Sequence, residues 1–277
     1  MEKRIWLITG ISGGLGKALC DAVIGHGDFV IGTFRNPEQA AEFSSEQSGK
    51  AIGLALDLAK PAEIEKAFAG IIYRFGRIDV LVNNAGVGIA GAIEETSMAE
   101  ARALFEINFF GTLLATQLAL PVLRKQKSGH IIQISSHGGF KAFPGFGIYN
   151  ASKFALEGFS EALAAEVAPL GIRLTIVEPG PFRTRFAGDS LIQAGSVIDD
   201  YQATAGAFRQ RMKQVDGKQE GDPQKAAKAI LDIANMDKPP LRLPLGKIAV
   251  VSLTSKLDSV QKDLNDFREL AESAVYL

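Results

Sequence analysis

The chain has 277 residues, a formal net charge of −1, 47% hydrophobic residues and 22% charged ones. This balance excludes a disordered, collagen-like or fully coiled-coil chain, and the near-zero charge leaves no basic surface of the kind a general nucleic-acid binder needs. A chain of this length buries roughly three quarters of its unfolded surface and needs no disulfide or metal staple. Cys20 is the single cysteine, so no internal disulfide can form and a reducing compartment is expected. The start, MEKRIWLITG, holds four consecutive apolar residues from Ile5 to Ile8, fewer than the seven or so of a secretory leader. The greasiest stretch, 111–123, contains Thr112, Thr116, Gln117 and Pro121 and falls short of about 18 apolar residues in a row. The expectation is a cytoplasmic protein with no membrane, nucleic-acid or metal partner.

In chain order, short β-branched runs alternate with helical patterns. Strands are predicted at 4–9, 29–33, 51–57, 78–83, 129–135 and 173–178, and helices at 15–24, 61–75, 98–123 and 149–168. Such alternation builds βαβ units and a parallel sheet. Runs such as Ile5 to Ile8 are apolar on both faces, as strands covered by helices on both sides must be. The pattern changes after Pro179. Residues 186–220 are polar and glycine-punctuated, which predicts an irregular or partly helical flap. Asp222-Pro223 opens a helix to about Ala234, Leu241 to Leu245 reads as an edge strand, and 252–272 as a last helix. No linker divides the chain, so the fold class expected is a single α/β domain with a doubly wound, Rossmann-like parallel sheet.

Two segments carry chemistry. The first strand runs into Thr9-Gly10-Ile11-Ser12-Gly13-Gly14-Leu15-Gly16. Glycines at this strand–helix junction let backbone approach a diphosphate, and the helix N-terminus offers free N–H groups. Gly10, Ser12 and Gly14 also match the G-x-S-x-G pattern of a serine hydrolase. Only one strand precedes Ser12, and His26, His130 and His137 have no evident orienting carboxylate, so that alternative is the weaker one. Where an adenosine-binding acid is usual, about 20 residues past the loop, the chain reads Gly32-Thr33-Phe34-Arg35-Asn36. Arg35 can grip a 2′-phosphate and Ser12 can add a hydroxyl donor, which predicts NADP(H) in preference to NAD(H).

The second segment runs from Ser135 to Lys153. Tyr149 and Lys153 stand one helical turn apart on one face. A phenol with a pKa near 10 is a sluggish acid–base group at neutral pH unless its anion is stabilised, and a neighbouring ammonium does that. Ser136, at a strand end, can polarise a substrate carbonyl.

These pieces together resemble the short-chain dehydrogenase/reductase family. The resemblance rests on TGISGGLG at 9–16, NNAG at 83–86, Asn108 within NFFG, Ser136, YNASK at 149–153 and PGPFRT at 179–184. It implies a nicotinamide cofactor and hydride transfer, with Tyr149 as acid/base, Ser136 as carbonyl polariser, and Lys153 as ribose ligand that lowers the Tyr149 pKa. Asn108 would hold a water in a proton relay. Ser136 is preferred to Ser135 by its distance from Tyr149. The resemblance also implies cofactor contacts at Gly10, Gly14, Leu15, Gly16, Asp57, Leu58, Asn84, Ala85, Gly86, Pro179, Gly180 and Thr184, and pairing of subunits through the 98–123 and 149–168 helices into a dimer or tetramer. Phe140, Phe143, Phe146, Phe182 and Phe186 fall in segments that should border the nicotinamide, which suits an apolar or bulky carbonyl or alcohol. A regulator that binds NADP without catalysis remains the rival reading from another class. The Ser136, Tyr149 and Lys153 set argues against it.

Overall fold

The computed structural model describes residues 3–188 and 190–276; residue 189, inside the expected flap, lies outside them. Seven parallel strands form one sheet in the order β3-β2-β1-β4-β6-β7-β9. They are β1 (Ile5–Ile8), β2 (Phe29–Phe34), β3 (Ala51–Ala55), β4 (Val80–Asn83), β6 (Gly129–Ile134), β7 (Ile172–Pro179) and β9 (Arg242–Leu245). Side chains alternate between the two faces. Trp6, Ile8, Val30 and Val82 face one core, closed by Leu19 and Val23 of α1 (Gly14–His26), Phe43 of α2 (Pro37–Glu46) and Ile230 of α8 (Pro223–Ala234). Leu7, Ile31, Leu81 and Ile131 face the other, closed by Ile64 and Phe68 of α3 (Pro61–Phe75), Leu123 of α5 (Thr112–Gln126) and Leu163 of α6 (Gly147–Val167). The doubly wound expectation holds, with β9 as the edge strand beside β7. Strand order reverses between β1 and β4, and a crevice opens at the carboxyl ends of the strands there, where α/β sheets bind ligands.

Three elements differ from the sequence reading. The predicted 98–123 helix is α4 (Met98–Phe105) and α5 joined by a π-helical turn, Glu106–Gly111. That wider turn brings Asn108 inward to a fully buried position. By length and composition alone, Met98–Gln126 could cross a membrane, yet its Ala115, Ala119 and Leu123 are core residues. Helix α2 escaped prediction although it carries a start signal, Asn36 capping Glu38 and Gln39 ahead of Pro37. A small second sheet pairs β5 (Gly88–Ala90) with β8 (Leu191–Gln193), and with α7 (Ala207–Val215) it turns the expected flap into an ordered wall of the crevice. The last helix is α9 (Lys247–Asp266) followed by α10 (Arg268–Glu272).

Candidate active site

The loop after β1 is pinned on both sides. Thr9 accepts hydrogen bonds from the Asn84 and Ala85 amides at 2.9 and 3.0 Å. The Gly10 amide donates to the buried Thr33 hydroxyl at 3.0 Å. Asn84 returns its side-chain amide to the carbonyls of Thr9 and Gly10 at 2.8 and 2.9 Å. Gly10 and Gly14 adopt positive φ, +70° and +58°, a region that disfavours side chains. A Cβ at Gly16 would collide with Asn84 and with the Gly10 carbonyl. Among the described residues no side chain caps α1 at Gly13, which leaves first-turn N–H groups for an anion.

A cavity of about 1070 Å³ runs from this loop to the start of α6. Gly10, Ser12, Gly14, Leu15, Gly16, Arg35, Asp57, Leu58, Asn84, Ala85, Gly86, Ser136, Tyr149, Lys153, Pro179, Gly180 and Thr184 all line it. Arg35 is exposed at the end of β2 and makes no hydrogen bond or ion pair with the described residues. The glycine cradle, the uncapped helix and this free guanidinium fit a phosphorylated dinucleotide. None of the three histidines bonds Ser12: His26 faces Asp28, His130 meets Thr175 and His137 meets Ser252. A hydrolase built on Ser12 therefore has no histidine base.

At the other end, Ser136 and Tyr149 converge. Ser136 follows β6 and accepts the Gly138 amide at 3.0 Å. Tyr149 sits in the first turn of α6, and Lys153, one turn on, donates to the Ile134 carbonyl at 2.8 Å. Asn150 locks the intervening loop to α6, donating to the Gly138 carbonyl and accepting from the Phe143 amide at 2.8 and 2.9 Å. The sequence reading passed over Asn150, although it lies within YNASK beside Tyr149. It also passed over Arg185, whose guanidinium reaches the Ser12 carbonyl at 3.0 Å and covers Gly13.

Asn108 and Tyr149 meet surroundings that the sequence does not show. The Asn108 side chain is buried beside Gly86. Its amide donates to the Val87 carbonyl and the Ser152 hydroxyl at 2.9 and 3.0 Å, and its oxygen accepts the Val87 amide at 2.9 Å. Both of its donors are committed, so the side chain braces β5 to α6. The expected lowering of the Tyr149 pKa is also not what the chain's own groups produce. Burial pushes the phenol up to about 12, with a hydrogen bond to Ser136 opposing. The same burial lowers the Lys153 ammonium to about 8, against the pull of Glu157. Desolvation is the larger cause at both groups.

Phe143, Phe146, Phe182 and Phe186 line the cavity, whereas Phe140 lies beneath Arg242. Phe146 stacks on Tyr149 at 4.1 Å, and Phe208 of α7 meets Phe146 at 5.0 Å. Phe208 and Met212 complete the aromatic wall. Helix α7 is anchored by a buried ion pair, Arg209 to Glu95 at 2.5 Å. Glu95 also accepts the Ala92 and Ile198 amides at 2.7 and 2.9 Å, and these partners hold its carboxyl down to about 2. Cys20 is buried in α1 and serves packing, and Asp199 and Asp200 form an exposed turn.

Comparison with known proteins agrees with this geometry. The family model for short chain dehydrogenases matches residues 4–193. An oxidoreductase of Botryotinia fuckeliana, BOA17, is 39% identical over 97% of this chain and 98% of its own. The 3-ketodihydrosphingosine reductase of Bacteroides thetaiotaomicron is 38% identical over 91% of each chain. A solved short-chain dehydrogenase from Streptomyces avermitilis superposes with a TM-score of 0.93 at 41% identity, covering 99% of this chain and 100% of that one. Other solved chains of this fold hold NAD or NADH in two cases and NADP in others.

Proposed function

Because the chain belongs to the short-chain dehydrogenase family, we propose that it is an NADP(H)-dependent oxidoreductase interconverting a carbonyl and an alcohol on an apolar or bulky small molecule. The observation that carries this reading is the single cavity joining the glycine loop and Arg35 to the Ser136, Tyr149 and Lys153 cluster. Gly10 to Gly16, Arg35, Asp57 and Gly86 would hold the dinucleotide, with Lys153 and Thr184 at its nicotinamide half. When bound, that cofactor supplies the hydride for reduction or accepts it in oxidation.

The chain's own groups handle the oxygen and the proton. Ser136 and Tyr149 present two hydroxyls to one substrate oxygen, which orients and polarises it. A phenol near 12 stays protonated at neutral pH and serves as the donor when a carbonyl becomes an alkoxide. Lys153 lies one turn away to compensate the phenolate left behind. The aromatic wall of Phe143, Phe146, Phe186 and Phe208 excludes water and favours an apolar substrate body. A cytoplasmic location and subunit pairing through α4, α5 and α6 belong to the same proposal. Phe110, in the π-turn between α4 and α5, and Phe154 of α6 are exposed apolar residues, as an interface would require.

The test is oxidation of NADPH and NADH by the purified protein with a panel of ketones and aldehydes. Turnover with an apolar ketone, faster with NADPH, is expected. Tight NADPH binding with no turnover across the panel would favour the non-catalytic regulator.

A further inference from the structure

Helix α9 begins at the mouth of the cavity, where Ile248 lines it. Its first half belongs to the body. Ala249, Ser252 and Leu253 are buried, and Ser252 and Ser255 bond His137 and Lys141. Its second half does not: from Leu257 to Tyr276 every described residue is exposed. At about 1.5 Å per residue, α9 projects roughly 20 Å past Leu253, its last buried residue.

The projecting half is not uniformly polar. Leu253, Leu257, Val260, Leu264 and Phe267 recur at spacings of four, three, four and three. That is the 3.5-residue repeat that packs one helix against another. These residues form one stripe, which the body covers at Leu253 and no described residue buries beyond it. Leu257, Leu264 and Phe267 are 57%, 57% and 59% exposed. The opposite face is finished for solvent by the i,i+4 ion pairs Lys262 to Asp266 and Arg268 to Glu272.

We propose that this stripe is an interface between copies of the chain, with α9 of one subunit packing antiparallel on α9 of another. Antiparallel packing is required because the body already covers the N-terminal half of the stripe on each subunit and would collide with its mate in a parallel pair. Charge supports this occupant. Lys256 and Asp263 flank the stripe on one side, one heptad apart, and neither side chain has an ionic partner among the described residues. A two-fold axis near Leu257 and Val260 sets Lys256 of one subunit against Asp263 of the partner subunit, and the reverse pair follows by symmetry. A membrane fits less well. Residues 254–276 carry three basic and five acidic side chains, which anionic lipid surfaces repel. This interface is separate from the α4–α5–α6 pairing and does not depend on the catalytic reading.

The test is molar mass by light scattering at tens of micromolar for the full chain, with NADPH fluorescence confirming that each variant is folded. Leu257→Glu with Leu264→Glu should halve the mass of the wild-type assembly, and Phe110→Glu with Phe154→Glu probes the other interface independently. Lys256→Glu and Asp263→Lys should each weaken assembly, and the double exchange should restore it. A monomeric wild type, an unchanged mass in the leucine variant, or single charge reversals that the double exchange does not rescue would overturn the proposal. So would co-sedimentation of wild type with phosphatidylglycerol vesicles that the leucine variant abolishes, since the stripe would then face lipid.

Discussion

Arg35 offers the sharpest perturbation of cofactor choice. Its guanidinium stands at the end of β2, lines the cavity, and has no partner among the described residues, so Arg35→Ala removes a charge without orphaning a neighbour. One charge-assisted hydrogen bond contributes about 1.5–3 kcal/mol, which is roughly 10- to 150-fold in affinity at about 1.4 kcal/mol per tenfold. Arg35 is solvent-exposed, and screening of exposed charges places the loss toward the lower end. The assay is kcat/KM for NADPH and NADH in wild type and Arg35→Ala. NADPH should lose about tenfold or more, NADH should change little, and raised salt should narrow the wild-type gap. An acid at Thr33 or Phe34, which the sequence suggests as a way to favour NADH, meets an obstacle in the structure. Thr33 is buried and accepts the Gly10 amide, and Phe34 packs on Phe43 at 5.3 Å. Arg35→Asp is the substitution that leaves the loop intact and should move preference toward NADH. Equal losses for both cofactors, or a wild type that already prefers NADH, would refute the role given to Arg35.

Two further outcomes follow from buried charge. Arg209→Ala leaves Glu95 unpaired beneath α7, a change that costs about 3–5 kcal/mol; hydrogen exchange should rise across 198–215 and substrate KM should rise while NADPH affinity holds. The folded Glu95 carboxyl lies below its ordinary 4.5, so the wild-type anchor is fully present above that pH and fades as pH falls toward 2; urea unfolding at stepped pH reads this. Glu178 is fully buried, and burial with the nearby Glu157 raises it to about 7 against the pull of Arg242. A carboxyl raised on folding destabilises progressively as pH climbs from its ordinary 4.5 through 7. Glu178→Gln should therefore raise Tm at pH 8 and leave it nearly unchanged at pH 4.

The sheet was legible because burial on both faces forces near-continuous apolar strands such as Val80–Asn83, and because glycines mark the strand–helix junction at Gly10. The cofactor half of the cavity was legible for the same reason, since a close backbone approach restricts residue type locally. What escaped was set by distant partners. Arg185 reaches Ser12 across 173 positions, and Phe208 joins the aromatic wall from a segment whose composition is polar. Neither has a local pattern. The π-turn at Glu106–Gly111 is invisible to helical periodicity, because a one-residue widening leaves the apolar pattern almost unchanged while carrying the Asn108 side chain to Val87 and Ser152. The direction of the Tyr149 pKa is set by a burial that sequence alone does not reveal. The heptad stripe on α9 is plain in sequence, yet only the structure shows that its second half is uncovered.

The central claim is that Tyr149 delivers the proton, and Tyr149→Phe tests it most directly. The ring and its stack on Phe146 at 4.1 Å survive, and only the hydroxyl beside Ser136 is lost. The measurement is kcat for carbonyl reduction together with NADPH affinity from fluorescence titration. Expected are unchanged NADPH binding and a fall in kcat of about 10²–10⁴-fold, the usual contribution of general acid catalysis. Turnover within about tenfold of wild type, with NADPH still bound, would contradict it.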